Sequence, residues 1–176
     1  MDCNATCSDC QKWEQSDKWQ GVLKRNQSLY HYHEGIQEVI TQWKYRGDYV
    51  LVKLFQSDIE RIVKDRRKQW PTAVVPIPLS SERLVERGFN QAEAIARLMT
   101  RKPVHLLERL DSEKQSKKTR YERLNRINPF RSKTSVPPHV LLVDDIYTTG
   151  ATLRYAAKAL QDAGCLHIES FTLIRG

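Results

Sequence analysis

Two adjacent carboxylates, Asp144 and Asp145, follow four apolar residues (Val140, Leu141, Leu142, Val143) and precede a turn of small and hydroxylated residues, Thr148, Thr149, Gly150, Ala151 and Thr152. An unbroken apolar run of that length marks a strand covered on both faces. In an open α/β sheet the carboxyl end of such a strand is where ligands bind. Leu153, Ala156, Ala157 and Leu160 then predict one face of a helix, closed by Gly164. Free backbone N–H groups and the positive end of the helix dipole therefore meet at residues 148–152, and Gly150 lets the backbone approach an anion closely. Carboxylates a few residues ahead of such a cradle can accept hydrogen bonds from the two hydroxyls of a ribose. Each piece has a bland reading, since aspartates at strand ends and Thr-Gly turns are common. Joined in this order they describe a site for one sugar phosphate, held at both ends. The other common phosphate signature, G-x-x-x-x-G-K-[ST], is absent.

The rest of the chain supplies elements that could position this loop. Residues 28–32 suit a short strand, and Ile36, Val39, Ile40 and Trp43 recur at helical spacing before Gly47. Leu51, Leu54, Phe55, Ile59 and Ile62 predict a second amphipathic helix, ending in Arg66, Arg67 and Lys68 where cations suit the dipole. Residues 73–77 are a β-branched run bounded by prolines, as in a buried parallel strand, and Ala92, Ile95, Ala96 and Met99 form a further helical face. Residues 104–107 and 168–174 are strand candidates. Strands separated by helices predict an α/β fold with a mainly parallel sheet flanked by helices.

Charge and cysteines add two further signals. The 176-residue chain has a net charge of +8, and residues 109–133 alone carry nine basic residues against three acids, a net +6. A cluster of that kind suits an anionic partner, although a lone charge run is most often a solvated loop. Three of the four cysteines, Cys3, Cys7 and Cys10, crowd the first dozen residues. No apolar stretch approaches the roughly 18–20 residues a bilayer needs, and no secretory signal is evident at the N-terminus. The expectation is a cytoplasmic protein without membrane insertion, whose cysteines are thiols or metal ligands rather than disulfides.

The 140–152 segment resembles the loop that binds phosphoribosyl pyrophosphate (PRPP) in type I phosphoribosyltransferases. Three other stretches resemble elements of the ComF family of competence-associated phosphoribosyltransferase-like proteins. They are Gln42-Trp-Lys-Tyr-Arg-Gly-Asp48; Val75-Pro-Ile-Pro-Leu-Ser80 with Arg87-Gly-Phe-Asn-Gln91; and Gln115, Arg120, Arg123, Asn125 and Phe130. The likeness runs from about Tyr30 to the C-terminus. It implies that Asp144 and Asp145 contact the ribose hydroxyls, with Mg²⁺ accompanying PRPP, and that Tyr147, Thr148, Thr149, Gly150, Ala151 and Thr152 hold the 5-phosphate. Pyrophosphate would lie on the loop Pro78, Leu79, Ser80 and Ser81, assisted by Lys44, Arg87 and Asn90. The segment with Lys114, Gln115, Lys117, Lys118, Arg120 and Arg123 would be a mobile basic loop, closing over PRPP or contacting single-stranded DNA.

The family further implies a role in DNA uptake and natural transformation, beside other competence proteins. The alternative is an active phosphoribosyltransferase of nucleotide metabolism, for which the sequence identifies no acceptor. Its members open with paired Cys-x-x-Cys units that suggest zinc ribbons. Here one clear pair, Cys7 and Cys10, stands with Cys3, and no fourth Zn²⁺ ligand is evident: Cys165 lies far along the chain and His31 and His33 fall on a predicted strand. Residues 1–27 therefore resemble a remnant of a zinc-ribbon module, and residues 28–176 a phosphoribosyltransferase-like domain.

Overall fold

The computed structural model describes residues 8–45, 47–66, 71–110 and 128–176. Four strands, β1 (Asn26–His31), β2 (Ala73–Pro76), β5 (His139–Tyr147) and β6 (His167–Arg175), form one parallel sheet in the order β1-β6-β5-β2. The apolar run of β5 explains why both faces are covered. Alternation sends Val140 and Leu142 to one side and Leu141 and Val143 to the other, and all four are fully buried. Each such side chain contributes about 1.5–3 kcal/mol on leaving water.

On the first face lies α6 (Ala151–Asp162), with Leu153, Ala156, Ala157 and Leu160 pointing inward as their spacing predicts. On the second lie α2 (Glu34–Tyr45), α3 (Gln56–Asp65) and α5 (Gln91–Met99). The expected single helix over 51–62 is divided: Tyr49–Phe55 is a 3₁₀ helix and α3 follows it. A three-residue repeat aligns Val52 with Phe55 toward the core, after which Ile59 and Ile62 continue at α-helical spacing.

Two features depart from the sequence pattern. The strand expected at 104–107 lies further on, as β3 (Leu107–Arg109), and pairs antiparallel with β4 (Phe130–Ser132) in a separate two-stranded sheet. Leu107 and Phe130 bury on the α6 side of the core, which draws this ribbon against α6. An extra helix, α4 (Ser81–Arg87), follows β2, capped by Ser80 and ended by Gly88 at φ +75°.

The N-terminal segment also packs onto the α6 face. After α1 (Ser8–Glu14), Trp19, Val22 and Leu23 are buried in the same cluster as α6. Arg154 of α6, itself buried, donates to Glu14 at 2.5 Å and to the Trp19 carbonyl at 3.3 Å. Among the described residues no helix is long and apolar enough to cross a membrane.

Candidate functional site

Asp144 and Asp145 stand near the carboxyl end of β5, within the strand rather than after it. Alternation turns Asp145 toward α2, where Lys44 Nζ meets its carboxylate at 2.6 Å; both side chains are nearly enclosed. The last turn of α2 thus places a cation at the sheet edge. Among the described residues Asp144 makes no such ion pair, although Lys44 and Arg109 lie near enough to oppose the upward shift of its pKa. Its Oδ1 accepts the Asp145 N–H at 2.9 Å, while burial and the neighbouring Asp145 charge push its carboxyl up to about 7. A hydroxyl donor or a cation placed against Asp144 would restore its charge at neutral pH.

The turn after β5 has the geometry of an anion cradle. Among the described residues, the N–H groups of Thr148, Thr149 and Gly150 make no hydrogen bond to another backbone group. The first turn of α6 adds further outward N–H groups and its positive dipole end. Gly150 caps α6 at φ +78°, and a Cβ there would lie 2.2 Å from Tyr147 Oη and 2.5 Å from Tyr147 Cζ. Glycine is therefore required twice over, by the backbone angle and by the ring behind it. Tyr147 enters the site as scaffold. Its side chain is buried beneath Gly150, in the α6-side core, with Arg175 stacked 4.2 Å from the ring centroid. Thr148 and Thr152 face the cleft in front of the loop.

That cleft, about 230 Å³, joins the acids and the loop to a group of cations: Lys44, Arg83, Arg87 and Arg109. Arg83 and Arg87 lie one turn apart on α4, and Arg109 projects from β3. Burial, and then repulsion from Arg83, hold the Arg109 guanidinium below its ordinary pKa, with Asp144 opposing. A site that crowds arginines against each other favours an anion of high charge.

Of the residues expected at the pyrophosphate end, Leu79, Arg87 and Asn90 line the cleft. Asn90 is also a cap: its Nδ2 donates to the Ile77 carbonyl at 2.9 Å and its Oδ1 accepts the Ala92 N–H at 2.9 Å. Ser80 likewise caps α4 by accepting the Arg83 N–H, and Ser81 begins that helix. Pro78 is partly buried in the connection between β2 and α4. Arg87 donates to Gln91 Oε1 at 3.1 Å, and among the described residues its Nε and Gln91 Nε2 are buried without a partner. Sequence reasoning missed Arg83 and Arg109 as site residues. Arg83 stands one helical turn before Arg87, which a helix over 81–87 would have revealed; Arg109 was counted only as the first charge of the basic run. Another of that run, Arg131, pairs with Glu108 at 2.5 Å.

Residues 53–176 match the phosphoribosyl transferase domain family. The chain is 40% identical over 175 residues to competence protein ComFC of Bacillus subtilis (98% of this chain, 73% of that protein). It is 35% identical over 171 residues to ComFC of Streptococcus pneumoniae (96% and 74%). The chain belongs to the ComF family. A more distant member of the matched set is the DNA utilization protein YhgH of Escherichia coli (strain K12), 30% identical over 118 residues, covering 61% of this chain and 51% of that protein.

Two of the ComF elements noted in the sequence, the one around Lys44 and the one at residues 87–91, meet in space. Phe89, from Arg87-Gly-Phe-Asn-Gln91, packs 6.0 Å from Trp43 beside Lys44 and 5.1 Å from Tyr49. Gly47 sits against the Arg87 carbonyl, 3.8 Å from where its Cβ would be. Lys114, Gln115, Lys117, Lys118, Arg120 and Arg123 lie outside the described residues, as do Cys3 and Cys7. Cys10 places its Sγ 3.2 Å from Tyr147 Oη, at the carboxyl end of the sheet. Cys165 contacts the Pro138 and His167 carbonyls at the opposite end. The described residues thus offer one thiol at the N-terminal segment, whereas a closed zinc site needs four ligands.

Proposed function

We propose that this ComF-family chain binds PRPP in the cleft between β5, α4 and β3. One observation carries the reading: the carboxylates Asp144 and Asp145, the loop residues Thr148 and Thr152 and the arginines Arg83, Arg87 and Arg109 line the same cleft, beside loop N–H groups that have no backbone partner among the described residues. Asp144 and Asp145 accept the ribose hydroxyls, residues 148–152 take the 5-phosphate, and Arg83, Arg87 and Arg109 face the pyrophosphate. The acids fit a Mg²⁺ ion that arrives with PRPP, because among the described residues Asp144 makes no ion pair like that of Asp145 with Lys44, and Lys44 and Arg109 offset its charge only in part. Such an ion would offset charge on the pyrophosphate.

The biological setting is competence for DNA uptake, in the cytoplasm and beside single-stranded DNA and other competence proteins. The names of the B. subtilis and S. pneumoniae relatives and the net +6 of residues 109–133 support it. A thermal-shift titration with PRPP and Mg²⁺ tests the binding. A hundredfold excess over Kd adds about 2.7 kcal/mol, or roughly 5–10 °C for a chain of this size. An unmoved transition in folded protein refutes the reading.

One observation favours catalysis as well. The arginine group is larger than a sugar phosphate alone needs, and it stands where a leaving pyrophosphate would gain charge. Pyrophosphate release from PRPP, assayed across bases, amines and water as acceptors, decides between binding and transfer.

A further inference from the structure

The loop that would hold the 5-phosphate is braced from behind by the opposite end of the chain. Trp13 Nε1–H donates to the Thr149 carbonyl at 2.8 Å, across 136 residues of sequence. Cys10 Sγ meets Tyr147 Oη at 3.2 Å, and that hydroxyl lies where a Cβ of Gly150 would be. The segment bearing both contacts is fastened to the helix the loop starts. Glu14 pairs with the buried Arg154 of α6 and accepts the Gly21 N–H at 2.8 Å, while the Arg154 guanidinium lies 5.9 Å from the Trp13 ring. Trp13 also packs edge-on to Trp19, with centroids 5.1 Å apart, and Trp19 packs on Tyr155 of α6.

The geometry of the peptide bond gives these contacts a consequence. A trans peptide is planar, with its C=O and N–H pointing in opposite directions. When the indole holds the Thr149 carbonyl against α1, the Gly150 N–H of the same peptide is turned away from α1, toward the open side of the loop. Thr148 and Thr152 face the cleft on that side, and the Gly150 N–H has no backbone partner among the described residues. Gly150 is the one loop residue able to rotate freely through φ, so this peptide could otherwise flip at little cost. The indole hydrogen bond opposes the flip that would point a carbonyl at the anion.

We infer that Trp13 is a positioning residue for the phosphate loop, and that the Cys-bearing N-terminal segment sets the affinity of the site for the 5-phosphate by holding the Thr149–Gly150 peptide in one orientation. The inference rests on the sugar-phosphate reading of the cleft and adds a means of regulating it. Any change that detaches α1 from Thr149 loosens the 5-phosphate end and leaves the arginine end, on α4 and β3, as it was.

The test compares Trp13→Phe with wild type in the 176-residue chain, by calorimetric titration with ribose 5-phosphate and separately with inorganic pyrophosphate. Phenylalanine keeps an aromatic ring against Trp19 and removes only the indole and its N–H. One hydrogen bond of ordinary net strength corresponds to a roughly two- to tenfold loss of ribose 5-phosphate affinity. Pyrophosphate affinity should stay within about twofold. Equal losses for both ligands would show a general structural effect and overturn the assignment. So would an unchanged ribose 5-phosphate affinity in the variant. A wild type that binds no ribose 5-phosphate overturns the sugar-phosphate reading along with this one.

Should Trp13→Phe fail to fold, the indole N–H resonances of wild type decide. The structure places three indoles among the described residues, Trp13, Trp19 and Trp43, of which only the Trp13 indole hydrogen-bonds a loop carbonyl. An indole N–H resonance that moves with ribose 5-phosphate and stays fixed with pyrophosphate supports the assignment. Indole resonances unmoved by saturating ribose 5-phosphate refute it.

Discussion

Replacing Asp144 by asparagine probes the electrostatics of the cleft without any ligand. In the folded chain burial and Asp145 push the Asp144 carboxyl up to about 7, against an ordinary 3.8. Between those values the folded protein holds a proton that the unfolded chain has released. Its stability contribution is therefore complete at the acid end, falls as pH rises through the window, and levels off above about 7. An interval of about three pH units corresponds at most to roughly 4 kcal/mol. Partial solvent access to the side chain reduces this to about 1–2 kcal/mol.

Asparagine carries no charge to bury. Asp144→Asn should thus match wild type near pH 4 and exceed it at pH 8 by about 2–8 °C in Tm. Scanning calorimetry of both proteins from pH 4.5 to 8, without ligand, reads the difference directly. A gap that stays constant with pH, or that favours wild type at pH 8, would refute the account of an incompletely compensated Asp144.

Lys44→Met should destabilise the protein by about 3–5 kcal/mol at pH 8, measured by urea unfolding, because it leaves Asp145 buried beside Asp144 with no counter-charge. Acidification should recover part of that loss; a variant as stable as wild type at pH 8 would count against the pair. Gly150→Ala should cost the fold about 1–3 kcal/mol as well as ribose 5-phosphate binding, and adding Tyr147→Phe should not restore it, since Cζ would still lie 2.5 Å from the new Cβ. Ser80→Ala removes the α4 cap and should lower stability by about 1 kcal/mol in the same urea assay. Replacing Lys114, Lys117 and Lys118 by glutamine should flatten the log–log salt dependence of single-stranded DNA binding by about two, at roughly 0.7 per phosphate. A wild-type slope in that triple variant would remove DNA contact from this segment.

What was legible in the sequence is what repeats or stands in a contiguous order. The apolar run of β5 fixed a strand covered on both faces, and Leu153, Ala156, Ala157 and Leu160 a helix packed against it. The acids, the turn and the helix of the cleft are neighbours in sequence, so their chemistry could be read from their order. Arg83 and Arg109 are not neighbours of that loop; α4 and the β3–β4 ribbon bring them to it, and neither element shows a strong apolar period. Lys44 was foreseen only through its family element, because nothing local says that it meets Asp145. The role of Tyr147 was hidden for a related reason. Position in the loop suggested a phosphate contact, whereas the ring's size and the empty space behind a glycine send it into the core. The contact of Trp13 with Thr149 spans 136 residues of sequence and leaves no periodic trace.

Calorimetric titration of the 176-residue chain with PRPP in the presence of Mg²⁺ tests the central claim most directly. The account predicts one saturable site, displaced by ribose 5-phosphate and by pyrophosphate, and lost in Asp144→Asn with Asp145→Asn while that variant remains folded. Absence of binding at millimolar PRPP in folded wild type, or binding that survives the double substitution unchanged, would contradict it.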